Sequence, residues 1–523
     1  MVGVIMVNRF LKGTFILTIA GFVVKAIGSI NWILLSRILG GEGIGIYQMA
    51  FPIYLLALQV SSAGIPIAIS IITAEKLALN DYKGASRVFK LSFNLLFITG
   101  LLFSVLTFFG ADWFIASGYI RETRAYYSII ALAPAIFFVT LISCFRGYLQ
   151  GWQLMTPTAI SQIIEQLLRV VVMLVAAAIL LPYGLDKAAG GASMGAGIGA
   201  FGALLVLLYY YWKLPKAPSQ GELYQGVQET SSSILSRLIR LAIPISLASI
   251  MLPLVANLDL FIVPRQLEVA GYSTAQATEL FGYLTGMAVP LINLATIITA
   301  ALATSIVPAI SNLVAKKDGQ GIFYRTAGAM RMTFLATVPF SIMLFVLAKP
   351  VVTLIYNAPR AEEATQILAI AIFFLGLHQV TTAILQGLGK PTLPVINMAL
   401  ACIVKVILNW NLTAIPWLGI AGASYATVAD IAFAAILNLF YIKKYTGYFL
   451  DISILWKNVV SATIMGVIMY LSYHALEPTM PMVFNFLLIG IEGGASYIVI
   501  MILVKGLNKH DGARMPLLGR FFQ

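Results

Sequence analysis

Apolar runs of about 20–30 residues follow one another along almost the whole chain, most of them closed by a short charged turn. Residues 125–146, AYYSIIALAPAIFFVTLISCFR, carry no charge before the last position. A soluble domain has nowhere to bury so many such runs, whereas a bilayer shelters each of them. Composition agrees: 60% of the 523 residues are hydrophobic and 10% are charged, where soluble domains carry about 25% charge. A membrane β-barrel would show alternating segments of about 10 residues instead. The fold class is therefore an all-α polytopic membrane protein. The first run, 10–36, is long enough to span and has no small-residue cleavage site, so no separate signal peptide is expected.

The runs predict 14 transmembrane helices. The longest loop, with LPKAPSQGELYQGVQETSSS, is rich in Pro, Gly, Ser and Gln and reads as a linker. The predicted organisation is 1–213 as an N-terminal six-helix lobe, 214–237 as a cytoplasmic linker, 238–443 as a second six-helix lobe, and 444–523 as two further helices with a tail. Lys76, Lys83, Arg87, Lys316, Lys317, Lys443 and Lys444 all fall in loops on one side of this arrangement. The positive-inside rule makes that side, and both termini, cytoplasmic. It also accounts for the net charge of +13 without a nucleic-acid partner. Cys144 and Cys402 both sit within spans, so no disulfide framework is expected.

The chain is doubled. In 145–171, FRGYLQGWQLMTPTAISQIIEQLLRVV, one span ends at Arg146-Gly147 and Thr156-Pro157-Thr158 opens the next. Thr156 is a natural N-cap there and Pro157 suits the first helical position. A weaker copy lies at 384–410: Leu149-Gln150-Gly151 returns as Leu385-Gln386-Gly387, Pro157-Thr158 as Pro391-Thr392, and Arg169 as Lys405. Phe51-Pro52 with Ile65-Pro66 in the second span is echoed by Val289-Pro290 with Val307-Pro308 in the eighth. These prolines are expected to kink their helices. Doubled membrane folds place substrate near mid-membrane between their repeats.

Charges inside spans cost about 2.5–3.5 kcal/mol on insertion scales and are functional candidates by default. Lys25 is mid-span, too deep to snorkel. Arg37 ends the first span and fits a headgroup contact as well as a substrate contact. Glu165 and Arg169, four residues apart, share a face and can neutralise each other. Arg146 stands where a cytoplasmic interfacial Arg is ordinary. Lys405 has no acid on its own helix, so Asp430 or Asp259 must serve it. If one acid pairs with Lys405, the other is free for a cation or proton, with Asn397 or Asn409 adding oxygens; Na⁺ or H⁺ coupling stays open at this point, behind a plain salt bridge. Glu492 has no evident role. With Arg265 added, the set leans basic, which suits an anionic substrate.

No catalytic constellation is present. His378, His474 and His510 lack metal-ligand spacing, and no phosphate-binding loop precedes a helix. The chain is expected to be no enzyme and to need no cofactor.

Leu11-Lys12-Gly13-Thr14, Ser36-Arg37-Ile38-Leu39-Gly40 through Tyr47, Arg146-Gly147-Tyr148-Leu149-Gln150-Gly151, Pro157-Thr158-Ala159-Ile160-Ser161-Gln162 and Asn257-Leu258-Asp259 resemble the polysaccharide-transporter branch of the multidrug/oligosaccharidyl-lipid/polysaccharide exporter superfamily, and within it the lipid II flippase-like members. The resemblance implies two six-helix lobes in a V, opening inward and outward in turn. It implies a flippase of an undecaprenyl-pyrophosphate-linked cell-wall precursor in a bacterial plasma membrane, serving peptidoglycan or spore cortex synthesis beside cell-wall synthesis proteins. Lys25 stands where relatives often carry Arg, so the charge is kept and a bidentate grip is lost. Arg37, Arg146, Glu165, Arg169 and Lys405 match the family's pattern, and Asp259 matches part of it. The expected pyrophosphate ligands are Lys25, Arg37 and Arg169, with the polyprenyl tail left in lipid. The rival reading is a cation-coupled multidrug exporter of the same superfamily.

Overall fold

The computed structural model describes residues 2–62, 64–214, 229–476 and 481–506. Among these the chain is helical throughout, with no strand. The helices are α1 (Val2–Ser62), α2 (Ile65–Ala78), α3 (Tyr82–Ala116), α4 (Tyr126–Gly151), α5 (Thr156–Leu180), α6 (Leu185–Trp212), α7 (Ser231–Val269), α8 (Thr274–Gly282), α9 (Val289–Ala295), α10 (Ile297–Ala315), α11 (Gly319–Val346), α12 (Ala348–Tyr356), α13 (Glu362–Gly387), α14 (Thr392–Leu412), α15 (Ile420–Thr446), α16 (Ile452–Leu476) and α17 (Met482–Leu503). Among the described residues, twelve helical stretches are long and apolar enough to cross a membrane. The first, Val23–Ala78, holds two of the spans read from sequence, and α7 is not among the twelve. The count of 14 is not confirmed among the described residues.

The described chain falls into two compact units, Met1–Arg265 with Ser273–Gly282, and Gln266–Tyr272 with Tyr283–Gln523. The expected linker falls mostly on 215–228, outside the described residues, as does the tail beyond 506 with His510.

Helix breaks are set by backbone geometry. Within α1 the helix is interrupted at Gly40, whose φ of 65° is left-handed. Pro66 does not kink a helix: Gly64, at φ 73°, ends the previous segment and Pro66 sits in the first turn of α2. Pro290 likewise occupies the first turn of α9, after a π-helical stretch at Tyr283–Ala288. Pro52 and Pro308 do lie inside helices. Asn257 Nδ2 donates to the carbonyls of both Pro52 and Pro253, at 2.8 Å each, which ties α7 to α1 at the Pro52 level. Two local expectations are corrected. The helix holding Arg146 runs on to Gly151, because Tyr148, Leu149 and Gly151 pack inside the unit. Thr156 is the first helical residue rather than the cap, and Met155 precedes it without a side-chain cap bond.

The duplication is physical. A Cβ on Gly147 would stand 2.5 Å from the Pro66 carbonyl oxygen, and one on Gly151 would stand 2.6 Å from Thr73 Cβ. A Cβ on Gly387 would stand 2.9 Å from the Val307 carbonyl and 2.8 Å from Ile310 Cβ. So α4 lies backbone to backbone on α2, and α13 on α10, by the same glycine. The turns repeat too. Asp81 caps α3 by accepting from Gly84 N at 2.7 Å, and Asp318 caps α11 by accepting from Gly321 N at 2.8 Å. Left-handed residues precede both caps, Asn80 at φ 58° and Lys317 at φ 54°; Gln153 and Gly389 match in the same way.

In a bilayer, apolar burial does little to join helices, so close backbone approach through small residues carries more of the association. Gly151→Leu and Gly387→Leu are each expected to destabilise by about 1–3 kcal/mol through overpacking. Gly494→Ala, where a Cβ meets open space, is expected to be neutral. Thermal unfolding in detergent followed by tryptophan fluorescence checks all three.

Candidate functional site

The basic candidates of the first unit lie on three helices, α1, α4 and α5. α5 carries Glu165 and Arg169 one turn apart, and α4 brings Arg146 beside them. Glu165 Oε2 accepts from Arg146 Nη2 at 2.9 Å and Oε1 accepts from Arg169 Nη2 at 3.0 Å. Arg146 Nε also donates to Ser161 Oγ at 3.1 Å. One carboxylate thus holds two guanidiniums, with side chains 15–23% exposed. The group keeps one net positive charge. Tyr54 of α1 reaches Arg169 through its hydroxyl, and Tyr47 is close enough to feel the same charge. Trp32, Tyr47, Phe51 and Tyr54 form a run of aromatic contacts with centroids 5.7–5.8 Å apart.

Two polar atoms here lack partners among the described residues. Arg169 Nε is buried without an acceptor, and so is the Oδ1 of Asn31, a residue 4% exposed. Asn31 Nδ2 spends its hydrogen bond on Met173 Sδ at 3.1 Å, one turn beyond Arg169. A Cβ on Gly28 would stand 3.2 Å from Gln166 Nε2. The two contacts, Gly28 with Gln166 and Asn31 with Met173, show that α1 and α5 run parallel here. Lys25 lies one turn before Gly28. It is exposed, and its ammonium has no ion-pair partner among the described residues.

Arg37 is also exposed, but α1 is unbroken between Lys25 and Arg37. At 1.5 Å per residue the two lie about 18 Å apart along the axis. To share one pyrophosphate group, both side chains would have to extend toward each other along the axis. Asp259 lies on α7 in the same unit, half-buried.

The second unit holds the remaining candidates. With Gly151 and Gly387 as equivalent positions, Arg169 corresponds to Lys405, Ser161 to Asn397, Arg146 to Thr382 and Glu165 to Ala401. Asn397 Nδ2 donates to Asn438 Oδ1 at 2.8 Å, and Asn438 Nδ2 donates to the hydroxyls of Thr381 and Thr382 at 3.2 and 3.1 Å. A neutral amide and hydroxyl network therefore stands where the first unit has its ion triad. Lys405 is 6% exposed on α14, and Asp430 is half-buried on α15. Glu492 accepts from Ser472 Oγ at 3.0 Å, which joins α17 to α16 and gives this acid a structural place.

Two ion clusters were not anticipated. At one end of the first unit, Glu122 accepts from Arg124 Nε at 2.9 Å and from Thr278 Oγ1 at 3.0 Å, and Arg124 Nη2 reaches Glu42 at 2.8 Å. Burial pushes the Glu122 carboxyl up, but the bonds from Arg124 and Thr278 overcome it and hold it below the ordinary 4.5. At the end where α2 meets α3, Lys76 pairs with Asp81 at 3.4 Å and Glu229 at 3.2 Å, and Arg237 pairs with Glu75 and Glu229. These pairs fasten the start of α7 to α2. Glu75 and Arg237 stand 162 positions apart, and Glu122 and Thr278 156, which leaves no local spacing to read for those contacts. Tyr47 and Tyr54, two turns apart on one face, did carry a readable signal.

A multi-pass helical scaffold with charges paired inside it suits a membrane transport protein. Comparison supports this. The family model described as polysaccharide biosynthesis protein matches residues 10–314, and one described as MatE matches residues 244–411. The chain belongs to the polysaccharide biosynthesis protein family. It is 29% identical to stage V sporulation protein B of Bacillus subtilis (strain 168), over 98% of this chain and 99% of the relative. It is 25% identical to the lipid II flippase MurJ of the same organism, over 98% of both. The solved structure of lipid II flippase MurJ in an inward closed conformation aligns with a TM-score of 0.70 at 16% identity, covering 94% of this chain and 99% of that one. An inward-facing multidrug resistance MATE family transporter of the MOP superfamily aligns at 0.66 and 16% identity, covering 81% and 94%. The fold is that of MOP superfamily transporters.

Two outcomes are expected. Glu165→Gln leaves two guanidiniums facing each other and should destabilise by about 2 kcal/mol, less than a fully buried pair because the side chains retain some water. Glu165→Gln with Arg146→Met should recover part of that loss, read as a double-mutant cycle of unfolding midpoints. Glu122 contributes stability above its unfolded value, and that stability is lost as pH falls below about 4.5 through its lowered folded value. Glu122→Gln should therefore lower the melting temperature at pH 7 and flatten its decline in acid, measured by thermal unfolding from pH 7 to 3.

Proposed function

We propose that this chain is a flippase that moves an undecaprenyl-pyrophosphate-linked cell-wall precursor, lipid II or a related glycan lipid, across a bacterial plasma membrane by alternating access. The observation that carries the reading is the first unit's uncompensated positive charge. Glu165 neutralises only one of Arg146 and Arg169, and Arg169 Nε is left without an acceptor. A buried N–H on a guanidinium is matched by a phosphate oxygen, and guanidinium–phosphate bonds are charge-assisted. Lys25 adds a second net charge on the neighbouring helix, which balances a doubly anionic pyrophosphate. A carrier of cationic drugs would be served by the opposite balance.

In this reading Arg169 donates to the pyrophosphate, and Arg146 and Glu165 fix its guanidinium in place. Lys25 holds the second phosphate. Arg37, about 18 Å further along α1, meets the group at a different stage of the passage. Lys405 supplies the second lobe's positive charge. Asp259, Asp430 and Asn397 are the remaining candidates for ion coupling. Each half contributes one six-helix lobe, and both termini face the cytoplasm. The names of the two Bacillus subtilis relatives, a lipid II flippase and a sporulation protein, support a substrate drawn from cell-wall synthesis, in peptidoglycan or spore cortex.

The test is lipid II translocation by the purified protein in liposomes, with an imposed ion gradient. Wild type is expected to translocate. Lys25→Ala and Arg169→Ala should each reduce the rate at least about tenfold, the scale of one charge-assisted contact. Lys25→Arg should keep it. Folded wild type that leaves lipid II unmoved, while it expels cationic drugs from a sensitive strain, would instead identify a cation-coupled multidrug exporter. The orientation is checked separately: Lys317→Cys, in a chain freed of Cys144 and Cys402, should resist labelling from outside the cell.

A further inference from the structure

The second unit contains a cavity of about 520 Å³ outside the charged helices already described. Its wall is built where α11 ends, α12 and α13 begin, α16 ends and α17 begins. The ends of α11 and α16 and the starts of α13 and α17 are ends of candidate membrane-spanning stretches, with the short α12 between them, which puts the cavity at the level of lipid headgroups.

Three lining groups offer contacts of opposite kinds: Lys349, which is exposed, Glu362, which is half-buried, and Asn485, which is buried. The ammonium of Lys349 has no ion-pair partner among the described residues, and neither does the carboxylate of Glu362. They line one cavity without pairing with each other. Asn485 is 1% exposed, and its Oδ1 has no hydrogen-bond donor. Its amide nitrogen points the other way, toward the Tyr473 carbonyl at 3.4 Å. A buried acceptor left open costs about 1–3 kcal/mol, so a donor from outside the protein is worth that much to the site. Glu362 and Asn485 together ask for a cationic donor, and Lys349 asks for an anionic acceptor.

One small molecule meets both demands: a zwitterion with a phosphate and an ammonium a few bonds apart. We propose that this cavity binds such a phosphate–ammonium group, of the kind an ethanolamine phospholipid presents. Lys349 takes the phosphate, and Glu362 with Asn485 Oδ1 takes the ammonium. The His474 ring stacks edge-on against Tyr470 at 4.5 Å and forms part of the wall. Tyr at this level is typical of the membrane interface. Leu471, Val483 and Phe484, next in sequence to lining residues, are exposed apolar side chains that acyl chains can cover. The ligand differs from the lipid-linked pyrophosphate proposed above, and the site is in the other unit, so the two readings stand or fall separately.

Native mass spectrometry of the full chain in detergent tests this, after incubation with dioleoyl phosphatidylethanolamine, with phosphatidylglycerol of the same acyl chains, or with O-phosphoethanolamine. Wild type should retain the ethanolamine lipid about fivefold more than the glycerol lipid, the scale of one charge-assisted contact at a partly exposed site. Lys349→Gln and Glu362→Gln should each abolish that preference. Displacement of the lipid by O-phosphoethanolamine would keep the chemistry and make the natural ligand a solute; no displacement assigns the site to the bilayer. Equal retention of the two lipids by wild type, a comparison that needs no variant, would overturn the proposal. So would an unchanged preference in both variants, shown folded by wild-type melting temperatures.

Discussion

Helix backbones that approach through glycine hold this fold together. Within a bilayer, leucine against leucine gains little over leucine against lipid, so contact area alone does not select a partner. Close approach does, because dispersion falls steeply with a gap of even half an ångström. Gly147 and Gly151 seat α4 on α2, and Gly387 seats α13 on α10. Gly191, Gly195 and Gly199 do the same for α6 on α5; a Cβ on Gly199 would stand 2.5 Å from the Glu165 carbonyl oxygen. That last contact links scaffold to site. The helix that carries Glu165 and Arg169 is fixed against α6 at the residues that carry the charge.

Fixing the backbone there matters because a charge triad is only as selective as it is rigid. A carboxylate shared between two guanidiniums, each by its own oxygen, leaves neither arginine free to turn away. The cost of keeping three charges partly out of water is substantial. Packing that cost into a site whose charges do not cancel is understandable if the residual charge is used. The two polar atoms without partners, Arg169 Nε and Asn31 Oδ1, lie within a turn of each other's level on parallel helices. In the proposed reading, these groups beside the surplus charge are where the substrate's anionic group is met.

Much of the fold was legible because its signals are local. Apolar length marked the spans, and the repeated Leu-Gln-Gly marked the duplication, since both reflect one helix meeting the bilayer or one neighbour. Where the reading failed, the deciding contact was distant or hidden in a backbone angle. Pro66 reads as a kink from its neighbours, but the left-handed Gly64 makes it a helix start. Arg146 reads as an ordinary interfacial arginine, yet its partner lies beyond a turn, on α5. Glu165 with Arg169 was readable because i and i+4 share a face. Glu122 with Thr278 was not, since the residues stand 156 positions apart.

The duplication also separates what the scaffold requires from what the chemistry requires. Both halves keep the glycine contact, the Asp-capped turn and the left-handed residue before the following helix. Those features are the price of the fold. The halves part company at one place: Arg146, Ser161 and Glu165 face Thr382, Asn397 and Ala401, and only the cation at Arg169 and Lys405 persists. Asn397 and Thr382 complete a neutral network through Asn438 and need no ion to do so. Since the second half is held together without the triad, the scaffold does not call for it. Under the proposed function the triad's net charge serves a ligand rather than folding, and its presence in one half alone would make that half the stronger anion-binding side.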